Sequence, residues 1–155
     1  MGVASRVQGS TRRQPGDTNQ GCSQSKKYNI ISVATKEFLQ APGTPNGPLT
    51  LGKTAGIWTI DLPPDPNKAV ESTIYSEQGE AYAGVNEVKQ GEEIMALARH
   101  YDFAIAPTAA GFYFINPLYS ELYWVSNATI SPDIKLIPKS DIMGNDGLFD
   151  ITPVA

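Results

Sequence analysis

The sequence is poor in the residues that staple, chelate or catalyse. Its 155 residues include one cysteine, Cys22, and one histidine, His100. A lone cysteine closes no internal disulfide, which excludes a small disulfide-stapled scaffold. One histidine and one cysteine do not supply the ligands of a tetrahedral zinc site, and no metal or other cofactor is expected. No apolar run approaches the roughly 18 residues of a membrane span. No apolar stretch follows Arg6, so a secretory signal is expected to be absent. Charged residues are only 18% of the chain, below the roughly 25% of an ordinary globular domain, and a coiled coil is excluded. No Walker A loop, dinucleotide fingerprint or nucleophile elbow is present. Enzyme chemistry is not expected.

What is abundant is turn chemistry: 14 glycines and 12 prolines. The length suits one domain. The net charge of -4 conceals an asymmetry. Residues 1–27 carry Arg6, Arg12, Arg13, Lys26 and Lys27 against Asp17, a net of +4, whereas residues 28–155 are at -8. Five cations over 27 residues are too sparse to predict nucleic-acid binding. With little that could enter a core, residues 1–27 read as a basic extended arm.

Tyr28–Ala34 has the β-branched character of a strand. Six prolines between Pro42 and Pro66 then predict extended chain and turns over residues 28–78, with short strands at Gly56–Asp61 and Val70–Tyr75. Trp58 would pin this segment to another surface. From Gly79 the character changes. Ala81–Lys89 reads as a strand. Ile94, Leu97, Ala98 and Tyr101 then fall at i, i+3, i+4 and i+7, predicting a helix over Gly91–Tyr101. Glu92 and Glu93 fall in its first turn, where the helix dipole favours negative charge. Leu118–Val125 reads as a second, short helix, Pro132–Pro138 as a strand, and Asn145–Gly147 as a turn. No internal repeat is visible.

Val88, Gly91, Glu92, Ile94, Leu97, Ala98 and Tyr101 match the opening strand, turn and helix of a LysM domain. Leu122–Asn127 and Ile130–Pro138 follow in the order of that family's second helix and closing strand. The stretch Ser120–Val125 resembles the second helix of LysM-like baseplate wedge subunits of contractile phage tails. The resemblance covers residues 79–139. It departs from the family in the long Asp102–Leu118 link and in Asp133, where a glycine is usual.

The resemblance implies an α+β protein: a small βααβ module over 79–139, preceded by the 28–78 segment and followed by a C-terminal tail at 140–155. It implies a non-enzymatic structural subunit of a phage virion, a tail baseplate component docking on other virion proteins or on copies of itself. Its interface anchors would be Trp58, Phe112, Phe114, Tyr119, Tyr123 and Trp124. A capsid cement protein is one alternative. The other is a LysM module binding peptidoglycan or chitin, with a glycan groove between Gly91, Glu92 and Glu93 on one wall and Asn127 and Ile130 on the other. His100 reads as a surface or capping residue. Asp141, Asn145, Asp146 and Asp150 lack the spacing of an EF-hand loop and read as turn residues.

Overall fold

The computed structural model describes residues 26–65 and 67–154. Among them lie twelve strands: β1 Lys26–Ser32, β2 Phe38–Gln40, β3 Thr50–Gly52, β4 Trp58–Ile60, β5 Val70–Ser76, β6 Ala81–Gly84, β7 Met95–Leu97, β8 Asp102–Pro107, β9 Tyr113–Pro117, β10 Leu122–Val125, β11 Lys135–Pro138 and β12 Phe149–Pro153. The one helical element among the described residues is a 3₁₀ turn at Lys139–Asp141. The basic segment 1–25, with Arg6, Arg12, Arg13 and Cys22, lies outside the described residues. Lys26 and Lys27 begin β1.

All strand pairs are antiparallel, and six strands form a closed ring. β1 pairs β4, β4 pairs β5, β5 pairs β8, β8 pairs β9, β9 pairs β12, and β12 returns to β1. The other six form three hairpins, β2–β3, β6–β7 and β10–β11. Bridges at Pro48↔Met95, Thr50↔Asp133 and Glu93↔Lys135 join each hairpin to the other two. The hairpins thus form a triangular cap on one mouth of the barrel. Closure leaves the barrel no free sheet edge.

The chain therefore contains the repeat that the sequence hides. Each third contributes four strands, and equivalent positions carry similar side chains. Trp58-Thr59-Ile60, Phe103-Ala104-Ile105 and Phe149-Asp150-Ile151 put an aromatic and an isoleucine on the inner face of β4, β8 and β12. The residue between them points out, as the two-residue strand period requires. Ile30, Ile74 and Ile115 repeat on β1, β5 and β9. Leu49, Ile94 and Ile134 meet at the centre of the cap, where the Leu49 amide donates to the Ile94 carbonyl at 2.8 Å and the Ile94 amide to Ile134 at 3.0 Å. This six-stranded barrel capped by three hairpins is a β-trefoil.

The repeats differ in how they distribute core volume. Across the hairpins, Leu39 faces Leu51, Ala83 faces Ala96, and Trp124 faces Leu136. The indole of Trp124 is fully buried. It stands edge-on to Phe103, at 5.1 Å and 83°, and to Phe149, at 5.8 Å and 89°. Both are favourable aromatic geometries. Trp58 is also core, and its Nε1 donates to the Leu39 carbonyl at 3.0 Å.

Several expectations are corrected here. The fold is all-β, not α+β, and there is no βααβ LysM module. Gly91–Tyr101 is a loop and strand β7, with Ala98 exposed rather than on a buried helical face. Its apolar spacing fits a helix, but Ile94 is needed at the cap centre and Ala96 against Ala83. Strand alternation meets both requirements, and a helix would meet neither. Leu118–Val125 contains strand β10, where Tyr123 faces out and Trp124 in, in keeping with its run of β-favouring residues. Residues 28–78, expected as an extended segment, supply all of the first repeat but the first two residues of β1, together with β5. Gly79 lies in the turn between β5 and β6, inside the second repeat.

Replacing Trp124 with Ala is expected to cost roughly 3–5 kcal/mol in urea denaturation, because a large core cavity results. The Trp124 Nε1 is buried without a hydrogen-bond partner. Trp124→Phe should accordingly lose less than half as much, since it removes that unpaired donor along with part of the volume.

Candidate functional site

The residues expected to form interfaces are dispersed. Trp58 and Trp124 lie in the core and present no surface to a partner. Tyr119 is 98% exposed in the β9–β10 turn, with φ +61°. Phe112 is half-buried beside a small hollow that includes Lys36 and Asp150. Phe114 and Tyr123 come together on the outer face of the third repeat, their rings 5.8 Å apart.

The two walls of the expected LysM groove belong to different repeats. Gly91, at φ +86°, Glu92 and Glu93 lie before β7. Asn127 and Ile130 lie in the β10–β11 loop. The Asn127 carboxamide oxygen accepts from the amides of Thr129 and Ile130, and its nitrogen donates to Asp146 at 3.1 Å. Its side-chain bonds stay within its own repeat and do not reach Glu92 or Glu93. Asn145–Gly147 forms the expected turn, with the Leu148 amide donating to the Asn145 carbonyl. Among the described residues no group of three His, Cys, Asp or Glu is placed to hold a metal.

Glu93 does have a chemical consequence. A side-chain hydrogen bond with Asp133, then burial, then the Asp133 charge raise its pKa above the ordinary carboxylate value, with Lys135 opposing. A raised folded-state pKa means that the protonated form is favoured. This contribution to stability is present at low pH and is lost as pH rises through the folded-state pKa. Glu93→Gln keeps a hydrogen-bond donor without the charge. It should raise the melting temperature at about pH 8, with the gain disappearing at about pH 4.

A concavity among the described residues lies where the first repeat meets the second. The β2–β3 loop, stiffened by Pro42 and Pro45, runs beside the β5–β6 turn. The Asn46 amide donates to the Ala96 carbonyl and the Ala96 amide to Gly47, at 3.0 and 2.8 Å. Gly79 permits the close approach: a Cβ there would stand 2.6 Å from that of Ala41. Two adjoining hollows of about 310 and 470 Å³ share Pro42, Gly43, Gln78 and Gly79. The polar lining consists of Gln40, Thr44, Asn46, Thr54 and Gln78, and Glu80 is its one charged residue.

The two glutamines are oriented by the backbone. Gln40 Nε2 donates to the Thr54 carbonyl at 2.6 Å, and Gln78 Oε1 accepts from the Ile57 amide at 2.9 Å. These bonds leave the Gln40 oxygen, one of its N–H groups and both Gln78 N–H groups for a ligand. The sequence reading missed all of these residues. Its proline density pointed to loops and did not reveal that two loops would face each other.

A second kind of surface recurs around the barrel. Phe38, Tyr82 and Tyr123 occupy equivalent outward positions on β2, β6 and β10. Tyr82 packs against Tyr75 at 4.7 Å and His100 at 4.5 Å, and its hydroxyl is 2.9 Å from His100 Nε2. Tyr123 meets Phe114, and Lys139 Nζ lies 5.9 and 5.7 Å from the two ring centroids.

No protein-family model and no curated protein matches the sequence. The fold does match solved structures. A ricin B-like lectin of Macrolepiota procera, in complex with lactose, superposes with a TM-score of 0.67 at 17% identity, over 88% of this chain and all of the lectin. The Rhizoctonia solani agglutinin gives 0.66 at 10% identity, over 84% of this chain and 96% of that one. The designed threefold-symmetric protein ThreeFoil gives 0.65 at 12%, over 83% and 99%. At such identities the likeness concerns the fold. None of the three is a phage-tail protein or a LysM domain, and the baseplate and LysM assignments have no support here.

Proposed function

We propose that this chain is a non-enzymatic glycan-binding protein, and that the groove between its first and second repeats takes a neutral sugar. The observation that carries the reading is the groove's lining: oriented carboxamides and hydroxyls with almost no charge. A pyranose presents hydroxyls that each donate and accept, and a planar carboxamide can bond two of them at once. A phosphate or carboxylate would find no cation among the lining residues. The fold likeness to lectins, one of them holding lactose, supports the same reading.

The expected affinity is modest. A monosaccharide of about 12 non-hydrogen atoms, at about 0.3 kcal/mol per atom, gains roughly 4 kcal/mol, which corresponds to millimolar binding. Tight adhesion would need several sites engaged together.

Lactose titration by calorimetry, together with a glycan array, tests the reading. Gln78→Ala frees only an exposed amide and should leave the fold intact, while weakening binding about tenfold. Unchanged affinity in that variant, or an array that retains no neutral glycan, would overturn the proposal.

A further inference from the structure

The three outward aromatic positions are equivalent in place and different in chemistry. In the first repeat Phe38 faces Gly52 across the hairpin. In the second, the imidazole of His100 covers Tyr82 and engages its hydroxyl. Among the described residues, only in the third does an aromatic corner meet a lysine. There the Phe114 and Tyr123 rings stand at 71°, with Lys139 Nζ nearly equidistant from both.

Three observations make this corner a site. The root of Lys139 is fixed: its amide donates to the Glu121 carbonyl and its carbonyl accepts from the Ile142 amide. Its ammonium makes no ion pair among the described residues, as most of the described cations do not, and so is free to meet a ligand. Its distance from the rings is at the outer limit of about 6 Å for a cation–π contact, so the three N–H donors remain available.

The rings define what can bind beside that cation. Aromatic faces are electronegative and repel an anion placed directly on them. A ligand must therefore lay an apolar face on the corner and hold its negative charge to one side, at the lysine. A pyranose bearing a carboxylate has that shape. Its C–H face stacks, and its carboxylate reaches the ammonium in a charge-assisted hydrogen bond.

We infer that Phe114, Tyr123 and Lys139 form a second binding site, selective for a carboxylated sugar residue. The inference rests on the reading of the chain as a glycan-binding protein but uses none of the groove residues.

Methyl β-D-glucuronide and methyl β-D-glucoside share a ring and differ in the carboxylate, and NMR titration of the full chain compares them. The glucuronide should shift the Phe114 and Tyr123 ring resonances and bind about tenfold tighter than the glucoside. Added salt should reduce that preference. Lys139→Gln, at an exposed position, should abolish the preference read at those two ring resonances while the fold persists, and Gln78→Ala, remote from them, should leave the preference read there unchanged. Equal affinity for the two glycosides would overturn the inference, as would a preference that survives Lys139→Gln. A preference lost in Gln78→Ala would assign the glucuronide to the groove and overturn it too. Absence of lactose binding to the unaltered chain, with glucuronide selectivity intact, would refute the groove alone.

Discussion

The pairing of the last strand with the first is the constraint on which the structure depends. Phe149 to Pro153 run in register with Ser32 to Tyr28, and the Val154 amide extends the ladder to the Lys27 carbonyl. That ladder turns an open meander into a barrel. Without it, β1 would lose one of its two long ladders and β12 nearly all of its pairing, leaving backbone donors and acceptors in need of water. Closure also orients the inner faces of all six barrel strands toward one axis, where the aromatic and isoleucine of each repeat converge.

The cap depends on that closure. Its three hairpins would be marginal alone. Seated on the barrel mouth, they bury Leu49, Ile94 and Ile134 at one point and bond to one another through their backbones. Threefold symmetry solves the packing, and departures from it distribute volume: alanines at 83 and 96 in the second repeat, Trp124 in the third. Because inward positions satisfy the fold, the outward ones and the connecting loops are free to diverge. The nearly uncharged groove and the lysine-bearing aromatic corner both arise on that freedom.

Strands with β-branched or aromatic runs were legible. Tyr28–Ala34 corresponds to β1, Val70–Tyr75 to β5, and Gly56–Asp61 contains β4. Gly91–Tyr101 misled because strand and loop can mimic helical spacing by chance when residues are buried for non-local reasons. Ile94 serves the cap, Leu97 the β6–β7 hairpin, and Tyr101 packs on Phe103. The repeat went unseen because its marks are single buried positions about 45 residues apart, separated by loops of unequal length. The groove was illegible for a related reason: Gln40 and Gln78 are separated by 38 residues and meet only through strand pairing.

By itself the sequence determined the exclusions and the local grammar. It gave no staple, no zinc ligand set and no membrane-spanning run, while supplying abundant turns and several strands, all of which follow from composition and short-range preference. Only the tertiary structure decided that the strands close into a ring, that Trp58 and Trp124 face inward, and that Lys139 stands over two rings. Those outcomes depend on hydrogen-bonded register between distant segments, and a one-residue slip would reverse every side chain that register places.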